Sequence, residues 1–413
     1  MKKIAALSLF VILISSCSSL KQFHYMSKTK APKGSFRIEV PFELKNELIV
    51  MKVKLNGSEK EYEFLLDSGA PTSVIFNQAR EESKAESVME YKVLDSQGHS
   101  VKSEYVLFDM SISDHEFKDV FAAYTPEPGL LLPCIAHDGI IGANMMQTAN
   151  WHIDFEHKKI IITDLKKSSQ PDLSDYLKVS FKKRSPFGSS NLFSVVPGMV
   201  VKVTIKDQVF KHVLIDLGSS GGLNLPVSAK TDSLFKDQSK NVLFGFSSFG
   251  LFGANMDTTF YYHSSDISIG GKKEVRFHPN EITLENQSNY LIGTEILSDY
   301  DLYIDFRKKN MYLKTVREAS ETGEKVMGFY LFYDETNSKC YVSSIYQGSS
   351  AEQSGLILDD VILEVDGATI PKFADFCEFR EWSRALSKKE QVTLKIEREE
   401  KVISMKAGVL PRY

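Results

Sequence analysis

The feature that most constrains the fold is an internal repeat, because two distant segments show the same order of strands and turns. One segment reads "LIVMKVKLNGSEKEYEFLLDSG" from Leu48, and its counterpart reads "PGMVVKVTIKDQVFKHVLIDLG" from Pro197. In each, an alternating strand, a polar turn and a second apolar strand lead to Asp and, two positions later, to Gly. The two aspartates are Asp67 and Asp216, so the repeat places one carboxylate at the same point of each half.

The correspondence continues further along the chain. The segment "GIIGANMMQTANWHIDFEHKKIIIT" aligns with "YLIGTEILSDYDLYIDFRKKNMYL", which places Gly142 opposite Gly293. Order, spacing and glycine positions are all kept, so chance similarity explains the match poorly. Short β-branched and aromatic segments between Gly, Asn, Asp and Ser turns dominate both halves. The sequence therefore predicts two β lobes, the first lobe over residues 36–165 and the second lobe over residues 177–315.

The two aspartates fit a shared chemical role better than two separate turns. One Asp beside a Gly is common in turns for local reasons. Two pseudo-symmetric lobes, however, can bring one carboxylate each to a common axis, where the pair cannot cheaply ionise twice and shares a proton. The ionised member can then take a proton from a water while the protonated member polarises a carbonyl. Asp67 and Asp216 are therefore predicted to hydrolyse peptide bonds without a covalent intermediate.

The motifs around both aspartates resemble those of the aspartic proteases of the retropepsin and pepsin clan. The resemblance rests on apolar-apolar-Asp-Ser-Gly-Ala from Leu65 to Ala70, on the later Ile-Ile-Gly segment, and on their second copies. It implies a mainly β fold of two pepsin/retropepsin-like lobes, aspartic endopeptidase activity at Asp67 and Asp216, and water as the nucleophile. The residues that the resemblance implies as supports of the two turns are Ser68, Gly69, Gly142, Gly218, Ser219 and Gly293.

One position departs from the family pattern. The second turn reads Asp216-Leu217-Gly218, whereas the family usually has Thr or Ser in the middle, whose hydroxyl bonds across to the partner lobe. Half of this brace is expected to be missing, and Ser68 is expected to keep the other half. The departure leaves an alternative open. In that alternative the double lobe is catalytically inactive and acts as a peptide-binding or scaffolding envelope lipoprotein.

Two hairpin regions are candidates for contact with substrate. The family resemblance implies a flap that closes over substrate, and "YKVLDSQGHSVKSEYVLF", with Gly98 in its polar turn, is the flap candidate. An ordinary hairpin is the alternative. In the second lobe, "VLFGFSSFGLFG" from Val242 is rich in Gly and Phe. This composition argues against a regular strand, so the segment is expected to line a substrate groove or to fill the core.

Residues 325–413 repeat neither lobe. Their segment "GSSAEQSGLILDDVILEVDG" resembles the helix-and-strand signature of PDZ domains, which implies a C-terminal α+β PDZ domain. The resemblance implies that the module binds peptide C-termini or gates the cleft, with the peptide added as a strand beside "FYLFY". "FADFCEFREWSRAL" is expected to form a helix along that groove. A PDZ fold that only serves as a spacer is the alternative. The residues implied as the carboxylate-binding loop are Met327, Gly328, Phe329 and Tyr330.

The N-terminus has the pattern of an export signal. Two lysines precede an apolar stretch that is too short to span a bilayer, and the following "ISSC" resembles the lipobox of bacterial lipoproteins. This resemblance implies that residues 1–17 form a signal peptide and lipobox with lipidation at Cys17, and that residues 18–35 form a tether. The alternative is an ordinary signal peptide. The expected location is the cell envelope, outside the cytoplasm, with a lipid anchor to a membrane.

Composition excludes several other classes of function. The formal net charge is −4, with both signs interspersed, so no basic field would attract nucleic acid. Three cysteines follow Cys17, and so small and odd a number does not make a disulfide scaffold, so stability is expected to come from hydrophobic cores. No His-Glu-x-x-His or Cys-x-x-Cys spacing is present, and neither a metal nor another cofactor is expected. The expected partners are a protein or peptide substrate, peptide C-termini and the membrane.

Overall fold

The computed structural model describes most of the chain, and its fold is mainly β, as the sequence predicts. Gly98 of the flap candidate and Cys17 lie outside the described residues, so both assignments stay predictions. In the part of the chain that is described, no helix is both long and apolar enough to cross a membrane. The described residues are 21–94, 100–126, 128–166, 169–183, 198–250, 254–262, 267–272, 275, 282–286, 290–317 and 325–409.

The first lobe is built around an eight-stranded sheet with the order β2-β3-β4-β9-β5-β8-β7-β6. Its helical segments are α1 (Asn77–Ser83), a 3₁₀ turn (Leu132–Cys134) and α2 (Ala143–Met146). Its strands are β1 (Arg37–Pro41), β2 (Glu43–Lys45), β3 (Leu48–Leu55), β4 (Glu61–Asp67), β5 (Ser73–Phe76), β6 (Glu86–Leu94), β7 (Ser100–Ile112), β8 (His115–Thr125), β9 (Gly139–Gly142), β10 (Asn150–Asp154) and β11 (Lys159–Thr163).

The second lobe contains the order β13-β14-β15-β21-β16-β20-β18-β17 within a larger sheet. Its helices are α3 (Ala229–Phe235) and α4 (Thr294–Leu297). Its strands are β12 (Leu177–Ser180), β13 (Lys182–Lys183), β14 (Met199–Ile205), β15 (Gln208–Ile215), β16 (Leu223–Pro226), β17 (Asn241–Phe249), β18 (Ala254–Tyr262), β19 (Ile267–Ile269), β20 (Ile282–Glu285), β21 (Leu291–Ile292), β22 (Tyr300–Asp305) and β23 (Asn310–Thr315).

The strand pairings of the two lobes repeat around the aspartates. In the first lobe β4 runs parallel to β9, and β9 runs antiparallel to β5. In the second lobe β15 runs parallel to β21, and β21 runs antiparallel to β16. Strands from both lobes also form one six-stranded sheet, with the order β1-β11-β10-β22-β23-β12. Its central pairing, β10 with β22, aligns Trp151 with Ile304, and one continuous apolar core runs through both lobes.

The C-terminal region has its own core and mixes strands with helices. Its longest helix buries Phe376, Phe379 and Leu386 on one side, and Asp375 caps its start by accepting a hydrogen bond from Glu378 N at 2.9 Å. The helices are α5 (Ser350–Gln353), α6 (Phe376–Ser387) and a 3₁₀ turn (Arg398–Glu400). The strands are β24 (Lys325–Val326), β25 (Phe329–Asp334), β26 (Lys339–Tyr346), β27 (Val361–Val365), β28 (Ala368–Thr369), β29 (Gln391–Ile396), β30 (Val402–Lys406) and β31 (Gly408–Val409).

The segment "VLFGFSSFGLFG" forms a strand over most of its length, so the prediction that it lacks regular strand structure is wrong. It belongs to β17, which pairs with β18 and has one irregularity between Phe246 and Ser248. β17 also pairs with β26 of the C-terminal region. The sheet of the second lobe therefore continues into the C-terminal region.

The cysteines form one bridge between distant parts of the chain. Cys134 of the first lobe is disulfide-bonded to Cys377 at the start of α6. The cysteine count does not predict this pairing, although a single bridge is still not a disulfide scaffold. Cys340 is a buried free thiol, and burial raises its pKa to about 12. It is therefore a neutral core residue at ordinary pH.

Candidate active site

Asp67 lies at the end of a buried strand. β4 runs beside β9 until Asp67 pairs with Gly142, where both strands end. The three preceding residues, Phe64, Leu65 and Leu66, are at most 2% exposed. Successive side chains of a strand point to opposite faces, so a strand covered on both faces must be apolar at consecutive positions. Asp67 is the first residue after this buried stretch, which is why a charged residue follows the apolar run.

Backbone donors orient the Asp67 carboxylate. Asp67 Oδ1 accepts hydrogen bonds from Gly69 N at 2.7 Å and from Ala70 N at 2.8 Å. The Ala70 carbonyl oxygen in turn accepts a bond from Ala143 N at 2.8 Å, at the start of α2. The turn is therefore closed onto its own aspartate and tied to the helix behind it.

The turn after β15 repeats much of this pattern. Asp216 N donates to Ile292 O at 2.9 Å, and Asp216 Oδ1 accepts a hydrogen bond from Gly218 N at 2.9 Å. The Ser219 carbonyl oxygen accepts bonds from Thr294 N at 2.8 Å and from Thr294 Oγ1 at 3.0 Å. This turn, too, is closed onto its aspartate and tied to a following helix, α4.

One side chain joins the two turns directly. Ser68 is fully buried, and its hydroxyl donates to Ile215 O at 2.7 Å while accepting a bond from Leu217 N at 3.1 Å. One hydroxyl therefore serves a carbonyl and an N–H group on either side of Asp216. These two bonds fix the second turn relative to the first.

Each aspartate approaches the other lobe's turn glycine. A methyl group built on Gly69 would lie 2.4 Å from the Asp216 carboxyl atoms, and one built on Gly218 would lie 2.2 Å from Asp67 Cγ. At either position a methyl group would force the opposite carboxyl to move, so glycine permits this close approach. The reciprocal approach places the two carboxyl groups in one site between the lobes.

Two further glycines lie where the backbone is crowded behind the turns. A methyl group on Gly142 would lie 2.6 Å from Ser73 N, and one on Gly293 would lie 2.2 Å from Gly221 O. Their N–H groups are bound differently: Gly142 N donates to Ser73 Oγ at 3.0 Å, whereas Gly293 N donates to Gly222 O at 2.9 Å. The acceptor of the glycine N–H is thus a side-chain hydroxyl in the first lobe and a backbone carbonyl in the second lobe.

Sequence reasoning missed Asn144 behind the first turn. Asn144 is 1% exposed, and its Oδ1 accepts bonds from Ser73 N at 2.7 Å and from Ser73 Oγ at 3.0 Å. Its Nδ2 donates to Phe121 O at 2.7 Å. The sequence feature that could have indicated Asn144 is its place two positions after Gly142, where the second copy has Glu295.

The side chains that follow Asp216 have different surroundings. Leu217 is fully buried and belongs to the main apolar core. The Ser219 hydroxyl accepts a long bond from Gly221 N at 3.4 Å. Position 217 therefore contributes apolar packing to the second lobe in place of a hydroxyl.

A buried carboxyl lies beside the first half of β4. Asp138 is 8% exposed, its Oδ2 accepts a bond from Glu63 N at 2.7 Å, and burial raises its pKa above the usual range. This carboxyl holds the backbone of β4 from the side. Among the described residues, no group of three or more His, Cys, Asp or Glu side chains could hold a metal ion.

The loop of residues 327–330 is the second candidate site. Met327 and Phe329 are buried, whereas Tyr330 is 44% exposed. Gly328 has a positive φ of 86°, and a methyl group there would lie 2.4 Å from Ser349 Cβ. The loop leads into β25, which pairs with β26 on one side; within the described residues no other strand pairs with it. α6 packs against β25 through stacked rings of Tyr333 and Phe379, 5.7 Å apart.

Comparison with known proteins identifies two domains. Residues 51–145 match a family model described as aspartyl protease, and residues 315–397 match a model described as PDZ domain. No curated protein matches the chain significantly. The chain therefore contains an aspartyl protease domain and a PDZ domain, as the sequence resemblance predicts. Asp216 lies outside both matched segments, and its assignment rests on the contacts described above.

Proposed function

We propose that this chain, with its aspartyl protease domain and its PDZ domain, is an endopeptidase that uses Asp67, Asp216 and an activated water. The observation that carries the proposal is the reciprocal approach of each aspartate to the other turn's glycine. It supports one shared site better than two independent turns, because two separate turns would not need a glycine at both contacts.

The proposed reaction needs one proton on the pair. The ionised carboxylate takes a proton from the water as the water oxygen attacks the peptide carbonyl carbon. The protonated carboxyl gives its proton to the carbonyl oxygen, and a tetrahedral intermediate forms. The carboxyl that took the water's proton then gives it to the amide nitrogen, while the other carboxylate takes back a hydroxyl proton of the intermediate. The C–N bond breaks, a carboxylic acid and an amine leave, and the pair again holds one proton. Activity should therefore fall at high pH, where the second proton of the pair is lost.

The first turn is built for this role by its fixed donors. Gly69 N and Ala70 N hold Asp67 Oδ1, and Ser68 holds the backbone on both sides of Asp216. Preorganised groups of this kind cost little reorganisation during reaction. The buried apolar residues that precede each aspartate also keep water away from the supporting hydrogen bonds.

We also propose that the PDZ domain binds peptide C-termini between β25 and α6. Consecutive N–H groups of the loop of residues 327–330 would hold the carboxylate, and the peptide would add as a strand beside β25. The edge of β25 opposite β26 supports this proposal, as does the exposed position of Tyr330. A fluorescent peptide with a free C-terminus should bind, and the same peptide with a C-terminal amide should not.

Location is proposed from the N-terminal sequence. Export and lipidation at Cys17 would hold the protein at a membrane of the cell envelope. The disulfide between Cys134 and Cys377 supports export, because such bonds persist outside the reducing cytosol. Cys17→Ser should abolish fatty-acid labelling and release the protein from the membrane fraction. Continued labelling would contradict lipidation at this residue.

The activity can be tested with the protein lacking residues 1–17 and a mixed peptide library. Cleavage by wild type should fall by roughly 100-fold or more in Asp67→Asn and in Asp216→Asn. Asp172→Asn, at an exposed position between the two predicted lobes, is the matched control and should cleave normally. Thermal unfolding of each variant checks that the fold is intact. Cleavage that survives both substitutions would contradict the dyad, and no wild-type cleavage from acid to neutral pH would favour the peptide-binding, scaffolding alternative.

A further inference from the structure

The hairpin β17–β18 of the second lobe is joined to the PDZ domain by strand pairing. Leu243 aligns with Tyr346 and Gly245 with Ser344, and the Ser344 hydroxyl donates to Phe246 O at 3.0 Å. A methyl group on Gly245 would lie 2.0 Å from a backbone oxygen of β26, so glycine permits this close approach. The hairpin is therefore part of the PDZ sheet as well as of its own lobe.

In the described part of the chain, no strand outside the first lobe pairs with the equivalent hairpin of that lobe. β6 is the last strand in its sheet order, and within the described residues it pairs with β7 alone. Both hairpins follow the short helix after their respective aspartate turns, so they occupy the same place in the repeat. As far as the described strands extend, the two sides of the candidate site are thus held differently, and the PDZ domain pairs with the hairpin of the second lobe.

A chain of tyrosines connects this hairpin to the loop of residues 327–330. The ring of Tyr346 on β26 contacts that of Tyr261 on β18 and that of Tyr330 in the loop. The ring centres lie 6.0 Å and 6.2 Å from that of Tyr346. Burial raises the pKa of Tyr346 and that of Tyr261, so both stay neutral at ordinary pH. Phe246 adds an edge-to-face contact with Phe332 of β25, at 5.2 Å.

The opposite wall of the peptide groove is attached to the first lobe. Cys377 on α6 is disulfide-bonded to Cys134, and Arg380 Nη2 donates to Asn46 Oδ1 at 2.5 Å. Burial, with the nearby charge of Arg384, lowers the pKa of Arg380 to about 10. Leu131 and Leu132, close to Cys134 in sequence, pack against an apolar cluster of the first lobe. Ala70 of the Asp67 turn packs against the same cluster.

A peptide between β25 and α6 would therefore contact one wall that is joined to the second lobe and another wall that is joined to the first lobe. β25 leads through β26 to the hairpin of the second lobe, and α6 leads through its disulfide to the first lobe. We propose that the PDZ groove is an effector site, where an extended peptide with a free C-terminal carboxylate orders the β17–β18 hairpin and increases cleavage at the Asp67–Asp216 site. This inference rests on the proposed peptidase function.

The direction of the effect follows from the one-sided brace between the lobes. Leu217 provides no hydroxyl to reach across to the first lobe, so Ser68 alone braces the two turns, and further order at the Asp216 turn must come through its own sheet. The strands β16, β20, β18, β17 and β26 are consecutive neighbours in one sheet, and β16 begins shortly after Asp216. A strand added at β25 would lower the mobility of this whole series. A better ordered turn should raise kcat and leave KM nearly unchanged.

The test uses the oxidised protein without residues 1–17 and one decapeptide with an apolar last residue, chosen by its binding to that protein. Its C-terminal amide is the control probe. The free acid should raise kcat roughly fivefold and slow amide hydrogen exchange in residues 241–249 and 254–262, and the amide should do neither. Tyr346→Leu should bind the peptide but lose most of both effects. Tyr341→Leu, on the same strand, should behave as wild type.

The disulfide provides a second, independent variant. In the double variant Cys134→Ser, Cys377→Ser, the peptide should still bind and slow exchange in the hairpin, but kcat should rise less, because α6 is no longer held to the first lobe. Full activation in this variant would overturn the inference. A bound peptide that changes neither kcat nor exchange in wild type would also overturn it, and so would failure of every free-acid peptide to bind. If wild type cleaves nothing with or without peptide, the proposed function fails. Exchange in the hairpin then still decides whether groove and hairpin are coupled.

Discussion

The turn after β4 and the turn after β15 hold their aspartates alike but use the next residue in different ways. In both, Oδ1 of the aspartate accepts a bond from the glycine two positions later. Ser68 then reaches across to the other lobe, whereas Leu217 packs into the core. The bond that holds the aspartate comes from the backbone in both turns, whereas the bond between the lobes depends on the side chain of one residue. The repeat has therefore kept the geometry of the pair while the brace between the lobes has become one-sided.

Substitution of the turn glycines should have the largest effect and tests whether the two turns are equivalent. Gly69→Ala and Gly218→Ala each place a methyl group within 2.4 Å of the opposite carboxyl, so that carboxyl must move. Cleavage should fall by roughly 100-fold or more in both variants, since small displacements of reacting groups are costly. Steady-state rates measured beside thermal unfolding separate loss of activity from loss of fold.

Gly408→Ala is the matched control for these variants. A methyl group at this position meets nothing within 4 Å, so rates and stability should stay at wild-type values. If only one of the two turn glycines proved sensitive, the reciprocal contact between the lobes would not describe the working site.

Removal of the Ser68 hydroxyl should have the next largest effect. Ser68→Ala leaves Leu217 N and Ile215 O without this buried partner, which costs about 1–3 kcal/mol of unfolding free energy. The rate of cleavage should fall by about tenfold as the second turn loosens. Ser219→Ala, whose hydroxyl makes one long bond at 3.4 Å, is the comparison and should change both quantities less. Equal losses would show that the brace does not pass through Ser68.

Much of the fold could be predicted because its signals are local. Alternation, turn glycines and two copies of apolar-apolar-Asp indicate β lobes and place Asp67 and Asp216 at matching points. The PDZ region has its own signature, and α6 has apolar residues at helical spacing. Each of these features depends on a few neighbouring residues, which is why one sequence suffices.

The junction with the PDZ domain could not be predicted in the same way. Cys134 and Cys377 are 243 positions apart, and three cysteines leave the pairing open. Gly245 suggested an interrupted strand, yet it is needed because the backbone of β26 passes so close to it. Asn144 aligns with Glu295 in the second copy, so the repeat shows no shared residue at this position. These features depend on which distant surfaces meet.

A third prediction concerns the residue that makes the two turns different. Leu217→Thr and Leu217→Val remove nearly the same volume from the core, and only Thr restores a hydroxyl. Both should lower stability, Val by about 1.5 kcal/mol, because Leu217 is fully buried. Thr should recover part of the turnover that Val loses, if its hydroxyl bonds across to the first lobe as Ser68 bonds to the second. Identical rates for the two variants would show that a second hydroxyl adds nothing to the brace.

The smallest effect is expected in the sheet shared by the lobes, where the two halves differ in charge. His152 Nε2 lies 2.5 Å from Asp301 Oδ1, and the hydroxyl of Tyr176 donates to Asp301 Oδ2 at 2.6 Å. The repeat-related positions are Tyr303 and Asn150, which lack a full charge. Burial on its own raises the pKa of Asp301, but its bonds with His152 and Tyr176 together lower it below the usual 3.8.

A lowered pKa means that the folded state favours the ionised carboxylate, so its contribution is complete above pH 3.8 and disappears as pH falls through the folded-state pKa. Asp301→Asn should cost about 1 kcal/mol at neutral pH. The difference from wild type should shrink progressively below pH 3.8 in thermal or denaturant unfolding. Asp175→Asn, at an exposed position 3.9 Å from Lys314, should show no such pH-dependent difference. A constant gap between wild type and Asp301→Asn down to strong acid would mean that the ionised Asp301 carboxylate does not hold the two lobes together.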